Sequence, residues 1–556
     1  MRQSFLFAAL LAAAVVNTTA TPNQQAINAT PLSDPETRRP NVVFILTDDQ
    51  DVHLDSLEYM PLVRRHLIEK GTQFTKHYCT TAICCPSRVT LWTGKAAHNT
   101  NVTDVSPPYG KHGLSPTQLK EFLLDPHTYD YMNSVFQRNK LPPVSHKGEY
   151  STDVLTQKAY GLLEEAVKAD KPFFLTLAPI GPHSNINAQD LLTLPFGGVV
   201  FEAPIPAKRH ENLFQDVKVP RTENFNPDSP SGANWIRELG QLNETNLEYN
   251  DHFYRSRLRA LQAVDELVEG VIAKLEEHGI LDNTYIVYSS DNGFHIGQHR
   301  LQPGKTCGYE EDINVPLIIR GPGIAANLTT DVVSTHTDLA PTFFELLGIP
   351  LRDDFDGTPI PLTEEAITEV KSSGTRREHV GVEYWGLAGS EGIYESGLVG
   401  PRNNTYKSIR LYGEGYNLYY STWCSNEHEL YNLNDDPGQL HNLLFEEDGP
   451  KPTEKPLLLL GYPVSKVVAR LDTLLFVLKS CKGQVCVNPW ETLHPEGDVH
   501  TLHDALSASF DNFYEIEQTR VSFTSCEPGY IISAEGPQFD HDGLIFRDGL
   551  SWDQWT

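Results

Sequence analysis

Short, uncharged and largely apolar runs, two of them after a helical stretch, narrow the fold more than any other feature of this chain. The first run, Asn41-Val-Val-Phe-Ile-Leu-Thr47, carries no charge and ends at Asp48. A strand that is apolar at every position is covered on both faces, which is the pattern of a parallel sheet between helices. A helix is predicted over Thr152 to Ala169, with Leu155, Ala159, Leu162 and Ala166 on one face and Ser151 or Thr152 as its cap. It leads into a second buried strand, Pro172-Phe-Phe-Leu-Thr-Leu177. The unit repeats as a helix over Leu258 to Glu277, stopped by Gly279, and a strand Tyr285-Ile-Val-Tyr-Ser-Ser290. Helix alternating with apolar strand predicts an α/β sandwich around a large, mostly parallel sheet.

Past Gly374 the character changes. Tyr-rich segments such as Tyr406 to Leu411 and Tyr416 to Trp423 read as antiparallel strands of a smaller α+β unit. The chain has 556 residues, too many for one ordinary domain. The expected division is 1–20 signal peptide, 21–39 flexible leader, 40–374 main domain and 375–556 C-terminal domain.

Arg2, the apolar run Phe5 to Val16 and the small residues Thr18-Thr19-Ala20 read as a secretory signal peptide, too short for a membrane span. Leu457 to Leu478 is broken by Lys466, Arg470 and Asp472 and reads as a buried amphipathic helix. N-glycosylation sequons begin at Asn28, Asn101, Asn243, Asn327 and Asn403. Eight cysteines are present. Cys481 and Cys486 close a short loop and suit a disulfide in an oxidising compartment, and no cysteine pair has zinc-ligand spacing. All of this predicts an exported glycoprotein without a membrane span. With 73 acidic against 44 basic residues and a formal charge of −29, a nucleic-acid partner is excluded, and any anion site must be built locally from a few cations.

Ligands of open α/β sheets sit at the carboxyl ends of the strands. There the chain places Asp48-Asp49 and Asp291-Asn292, three carboxylates and an amide oxygen, a donor set for Ca²⁺ or Mg²⁺. Taken singly such dipeptides are ordinary turn residues. The decisive string is Cys84-Cys-Pro-Ser-Arg88-Val-Thr-Leu-Trp-Thr-Gly94. Pro86 suits the first turn of a helix, which puts Cys84 at an N-terminus that favours an anion. Arg88 follows about one turn later.

Cys-x-Pro-Ser-Arg followed by Leu-x-Thr-Gly resembles the formylglycine motif of type I sulfatases. The resemblance runs from about Asn41 to Leu443. It takes in both metal pairs, Ala-Pro-x-x-Pro-His183-Ser184, Pro303-Gly304-Lys305, Val315 to Gly323, Thr337 to Pro341 and Glu429 to Leu433. The double cysteine and the Asn99-Thr-Asn-Val102 surroundings are similar to fungal arylsulfatases and N-acetylglucosamine-6-sulfatases. The resemblance implies an alkaline-phosphatase-like sandwich, and oxidation of Cys84 to formylglycine by a dedicated generating machinery. It further implies a cation held by Asp48, Asp49, Asp291, Asn292 and residue 84. The substrate implied is an aryl or carbohydrate sulfate ester. The hydrated aldehyde attacks sulfur, Arg88 orients it, and His183 and Lys305 hold the ester oxygens and help the alcohol depart. His295 and His299 are expected to be supporting or structural. One departure stands out: Tyr109-Gly-Lys-His112 runs almost at once into Glu121-Phe-Leu-Leu-Asp125, where the family carries tens of further residues with a catalytic Lys and His. Lys111 and His112 read as polar loop. The rival readings are a phosphodiesterase or phosphonate hydrolase of the same superfamily and, because of the gap, an inactive secreted glycoprotein.

Overall fold

The computed structural model describes residues 39–105, 121–123, 126–187, 200–374, 376–394, 396–397, 403–445 and 457–539. The signal peptide, the leader to residue 38, Asn28, Lys111, His112 and junction residues 110–120 lie outside the described residues.

Strands β1 (Asn41–Thr47), β2 (Thr72–Phe74), β3 (Phe174–Leu177), β4 (Thr284–Ser290), β6 (Leu317–Arg320) and β7 (Leu328–Thr330) form one mixed, mostly parallel sheet in the order β7-β2-β6-β4-β1-β3. The pairs β1–β4, β1–β3 and β7–β2 are parallel, whereas β6 runs antiparallel to both its neighbours. The apolar run in β1 is explained by its two faces. Val43 and Ile45 join Leu163, Leu261, Val264 and Val268 in one core, while Val42, Phe44 and Leu46 join Leu91, Leu339 and Phe343 in another. Each such fully buried side chain contributes about 1.5–3 kcal/mol.

Helices α2 (Ser151–Lys168) and α3 (Glu244–Glu277) lie against each other on the first face. The cap expected at Ser151 or Thr152 is not made: both are buried in the first turn behind Tyr150, with no side-chain cap. The buried face also rotates onto Val154, Ala159 and Leu163, because α3 covers that side. α3 begins well before Leu258, since Asn243 and Asn246 form a capping box in a polar stretch that lacks an apolar stripe. It ends as expected beside Gly279, which has φ +64°. β3 was expected to be buried on both sides, yet Phe174, Leu175 and Thr176 are only half-buried. Among the described residues it is an edge strand bonded to β1 alone. Asn101, Asn243 and Asn327 are exposed, and Asn403 is half-buried with its amide donating to Asn234.

Strands β8 (His379–Tyr384), β10 (Tyr406–Gly413), β11 (Tyr416–Trp423) and β12 (His428–Asn432) make a four-stranded antiparallel sheet. Helix α4 (Val464–Leu478) packs on it, in place of the expected Leu457 start. Among the described residues no helix is long and apolar enough to cross a membrane. The Cys481–Cys486 disulfide forms, and a second joins Cys424 to Cys526, 102 residues apart.

A buried ionic cluster ties the antiparallel sheet to the short turn Ala97–Asn99 of the main domain. Glu383 of β8 lies 2.8 Å from His98 Nδ1 and 2.7 Å from Lys407 Nζ. Burial alone pushes the Glu383 carboxyl up, but His98 and Lys407 override it and hold it at about 2. Its folded value is therefore depressed below the 4.5 of the unfolded chain. Its stabilisation is fully present above that value and is lost as pH falls from 4.5 through about 2. Glu383→Gln should cost about 3 kcal/mol at neutral pH, because it removes the nearer carboxylate of buried Lys407 and leaves it Glu535 at 3.4 Å. The loss should shrink in thermal melts recorded below pH 4, and a loss independent of pH would refute the ionic account.

Candidate active site

β1 and β4 pair in register, with Thr47 opposite Ser290, so both strands stop together. Asp48-Asp49 and Asp291-Asn292 therefore emerge side by side at the carboxyl edge of the sheet. Asp49 takes φ +66° and turns its amide onto Asp291 Oδ1 at 3.0 Å. From α3, fully buried Arg257 holds this loop through Asp51 at 3.0 Å and through the carbonyl of Asp49.

Helix α1 (Cys84–Thr93) starts at the residue that the motif predicts. It closes at Gly94, whose φ of +66° and tight contact with Phe355 leave no room for a side chain. The Ser87 hydroxyl donates to the carbonyl of Asp291 and pairs with His336 Nδ1 at 2.9 Å, which seats the helix on the end of β4. One turn in, Arg88 donates from Nη2 to Asp48 at 2.7 Å and from Nε to Asp291 at 2.8 Å, bridging the two strand ends. Cys84 is only 6% exposed. Its Sγ lies 3.6 Å from Asp48, 4.0 Å from Asp49 and 3.4 Å from Lys305 Nζ. Burial pushes the Cys84 thiol well up, with Lys305 opposing and Asp48, Asp291 and Asp49 adding to the rise.

Lys305 lies in the short strand β5 (Gly304–Lys305). Its Nζ sits 2.6 and 2.8 Å from the two oxygens of Asp49 and 3.0 Å from Glu391. Burial lowers the tendency of this amine to hold its proton, but Asp49 and the neighbouring anions more than reverse that. His183 donates through Nδ1 to the Ser184 carbonyl, 2.7 Å away, and directs Nε2 to within 3.7 Å of Asp49. The structure thus brings together all eight residues expected at the site: Asp48, Asp49, Cys84, Arg88, His183, Asp291, Asn292 and Lys305. Cys85 is half-buried on the same helix. His295 is bonded to Asp312 at 2.8 Å, and His299 to Ser231 at 2.8 Å while stacked on Tyr309, in line with supporting roles.

Two residues escaped the sequence reading. Tyr129 stacks on the His183 ring at 4.0 Å between centroids. Glu391, in strand β9 (Gly389–Glu391), reaches Lys305 from a segment without apolar periodicity. Antiparallel pairing of β9 with β5 was the only signal that could have found it.

The residues fit a hard divalent cation. Four carboxylates (Asp48, Asp49, Asp291, Glu391) face two fixed cations (Arg88, Lys305), an excess of two negative charges in a buried site. Burial, then Asp291, pushes the Asp48 carboxyl up to about 7 against the opposing pull of Arg88. Asn292 Oδ1 is buried without a hydrogen-bond partner, an oxygen free to ligate. Ligand atoms of Asp48, Asp49, Cys84 and His183 also lie within 4.8 Å of one another.

Residues 40–349 match the family described as Sulfatase, and residues 297–455 match the one described as N-sulphoglucosamine sulphohydrolase, C-terminal. Similar proteins include sulfatase ppz1 of Metarhizium majus, 40% identical over 88% of this chain and 96% of its own length. The arylsulfatase of Chlamydomonas reinhardtii is 37% identical (86% and 80% covered), and human N-acetylglucosamine-6-sulfatase is 30% identical (82% and 87% covered). A solved structure of a protein in complex with its substrate D-glucosamine-2-N,6-O-disulfate superposes with a TM-score of 0.59 at 21% identity, covering 74% of this chain and 94% of that one. The fold is that of the alkaline-phosphatase-like sulfatases. The chain belongs to the sulfatase family and is a sulfuric ester hydrolase.

Proposed function

We propose that this chain is an exported arylsulfatase whose residue 84 works as formylglycine beside a bound Ca²⁺, with 40–374 as its catalytic domain and 375–556 as a companion. The observation that carries the reading is the placement of Cys84. It begins a helix and is ringed by Asp48, Asp49 and Lys305, while Arg88 ties both carboxylate pairs to that helix. Relatives named arylsulfatase support the substrate class. The two disulfides and the exposed sequons at Asn101, Asn243 and Asn327 support export.

The reaction adds water across the ester and yields alcohol and sulfate. Hydrated, an aldehyde at residue 84 supplies the oxygen nucleophile. Asp48, Asp49, Asp291 and Asn292 would hold the cation, whose chemistry is to neutralise sulfate oxygens and make a nearby hydroxyl more acidic. Arg88 cannot swing away, because both ends of its fork are anchored, so its charge stays fixed where negative charge grows. Lys305 presents Nζ beside the nucleophile. As the sulfur–oxygen ester bond breaks, its electron pair stays on the leaving oxygen, which takes a proton from His183 Nε2.

Hydrolysis of 4-nitrophenyl sulfate should stop on exhaustive chelation and return with Ca²⁺, since the donors are oxygens. Bis(4-nitrophenyl) phosphate, a diester, should turn over far more slowly. Recovery with Zn²⁺ alone would sink the cation assignment, and faster phosphate turnover would favour the phosphodiesterase rival.

A further inference from the structure

The leaving-group end of the site is finished by a segment far along the chain. β9 pairs antiparallel with β5, placing Lys305 opposite Gly389 and Gly304 opposite Ser390. The Glu391 amide donates to the carbonyl of Pro303, so the carboxylate is locked over the strand that carries Lys305. Only 5% of Glu391 is exposed. Its Oε1 lies 3.0 Å from Lys305 Nζ and 3.9 Å from His183 Nε2, and its Oε2 accepts from the Ser184 hydroxyl at 2.7 Å.

We propose that Glu391 is a positioning residue that aims Lys305 and His183 at the departing ester oxygen. This rests on the roles given above to those two side chains. A carboxylate is an odd neighbour for a sulfate ester, since like charges repel, and it is costly to bury unless paired. Here it accepts from the amine of one leaving-group residue and from the hydroxyl beside the other. A lysine stem has four rotatable bonds and a point charge without a preferred fork. Glu391 adds a second carboxylate to the ammonium that Asp49 and Cys84 already contact, and so narrows the directions in which Nζ can point. His183 is fixed on its other faces by the Ser184 carbonyl and by the stacked ring of Tyr129. Glu391 is the group that correlates the two.

A residue that serves only the departing oxygen matters more as that oxygen becomes a poorer leaving group. Glu391→Gln should lower kcat about tenfold on 4-nitrophenyl sulfate and a hundredfold or more on phenyl sulfate, with KM changed less than threefold. Ser184→Ala, which removes only the hydroxyl bond to Oε2, should show the same trend more weakly, and it covers the case in which Glu391→Gln fails to fold. Equal losses on both esters, in whichever of the two variants folds, would show a merely structural role and overturn the proposal. Lys305→Met, run in parallel, separates the two layers. If it is steeper on phenyl sulfate while Glu391→Gln is not, only the positioning role falls. If Lys305→Met treats both esters alike, the leaving-group role of Lys305 falls, and this proposal falls with it.

Discussion

Cys84→Ala is expected to abolish sulfate release, a fall of a thousandfold or more, while Cys85→Ala keeps most of it. The two cysteines are adjacent on one helix, yet only Cys84 faces Asp48, Asp49 and Lys305. The charges that bear on the Cys85 thiol are instead Arg88 and Asp104. Pro86 and Arg88 fix which of the pair is read, because the motif counts two and four positions from the converted residue. Peptide mass spectrometry of the active protein should find the aldehyde at position 84. An aldehyde at 85, or an unmodified peptide from a fully active preparation, would overturn the assignment of the nucleophile.

The second large effect separates cation binding from turnover. Arg88→Ala deletes the side chain that bridges Asp48 and Asp291. Loss of a fixed charge aimed at the transition state costs about a hundred- to a thousandfold in kcat. The same substitution leaves Asp48 and Asp291 short of one cation, so Ca²⁺ should bind more tightly than in the parent. In chelator the variant should be less stable by about 3–5 kcal/mol, the cost of stranding buried charge, and Ca²⁺ should restore much of that difference. Weaker calcium binding in a calorimetric titration would show that Arg88 organises the ligands instead of competing with the cation.

How much of this was visible in sequence depends on how local each signal is. β1 and β4 were legible because a strand covered on both faces is uncharged and largely apolar, and their common ending placed Asp48, Asp49, Asp291 and Asn292 together. The start of α1 was legible because Pro86 and the helix geometry act within one turn. The start of α3 was not, since its cap depends on Asn243 and Asn246 in a run with no apolar stripe. Glu391 and Tyr129 were invisible for a different reason. Each is brought to the site by strand pairing or ring stacking across long stretches of chain, and neither leaves a local pattern. The Cys424–Cys526 bridge is likewise a product of the folded sheet and not of spacing.

The 221 residues that separate Cys84 from Lys305 also set a clock. A ribosome that adds about 5–20 residues per second delivers Lys305 roughly 10–45 s after Cys84, and Asp291 only shortly before it. Until those residues arrive, nothing can enclose the thiol that is 6% exposed in the finished fold. Under the proposed function, the oxidation of Cys84 would fall to the nascent chain, before Asp291 and Lys305 close over the thiol.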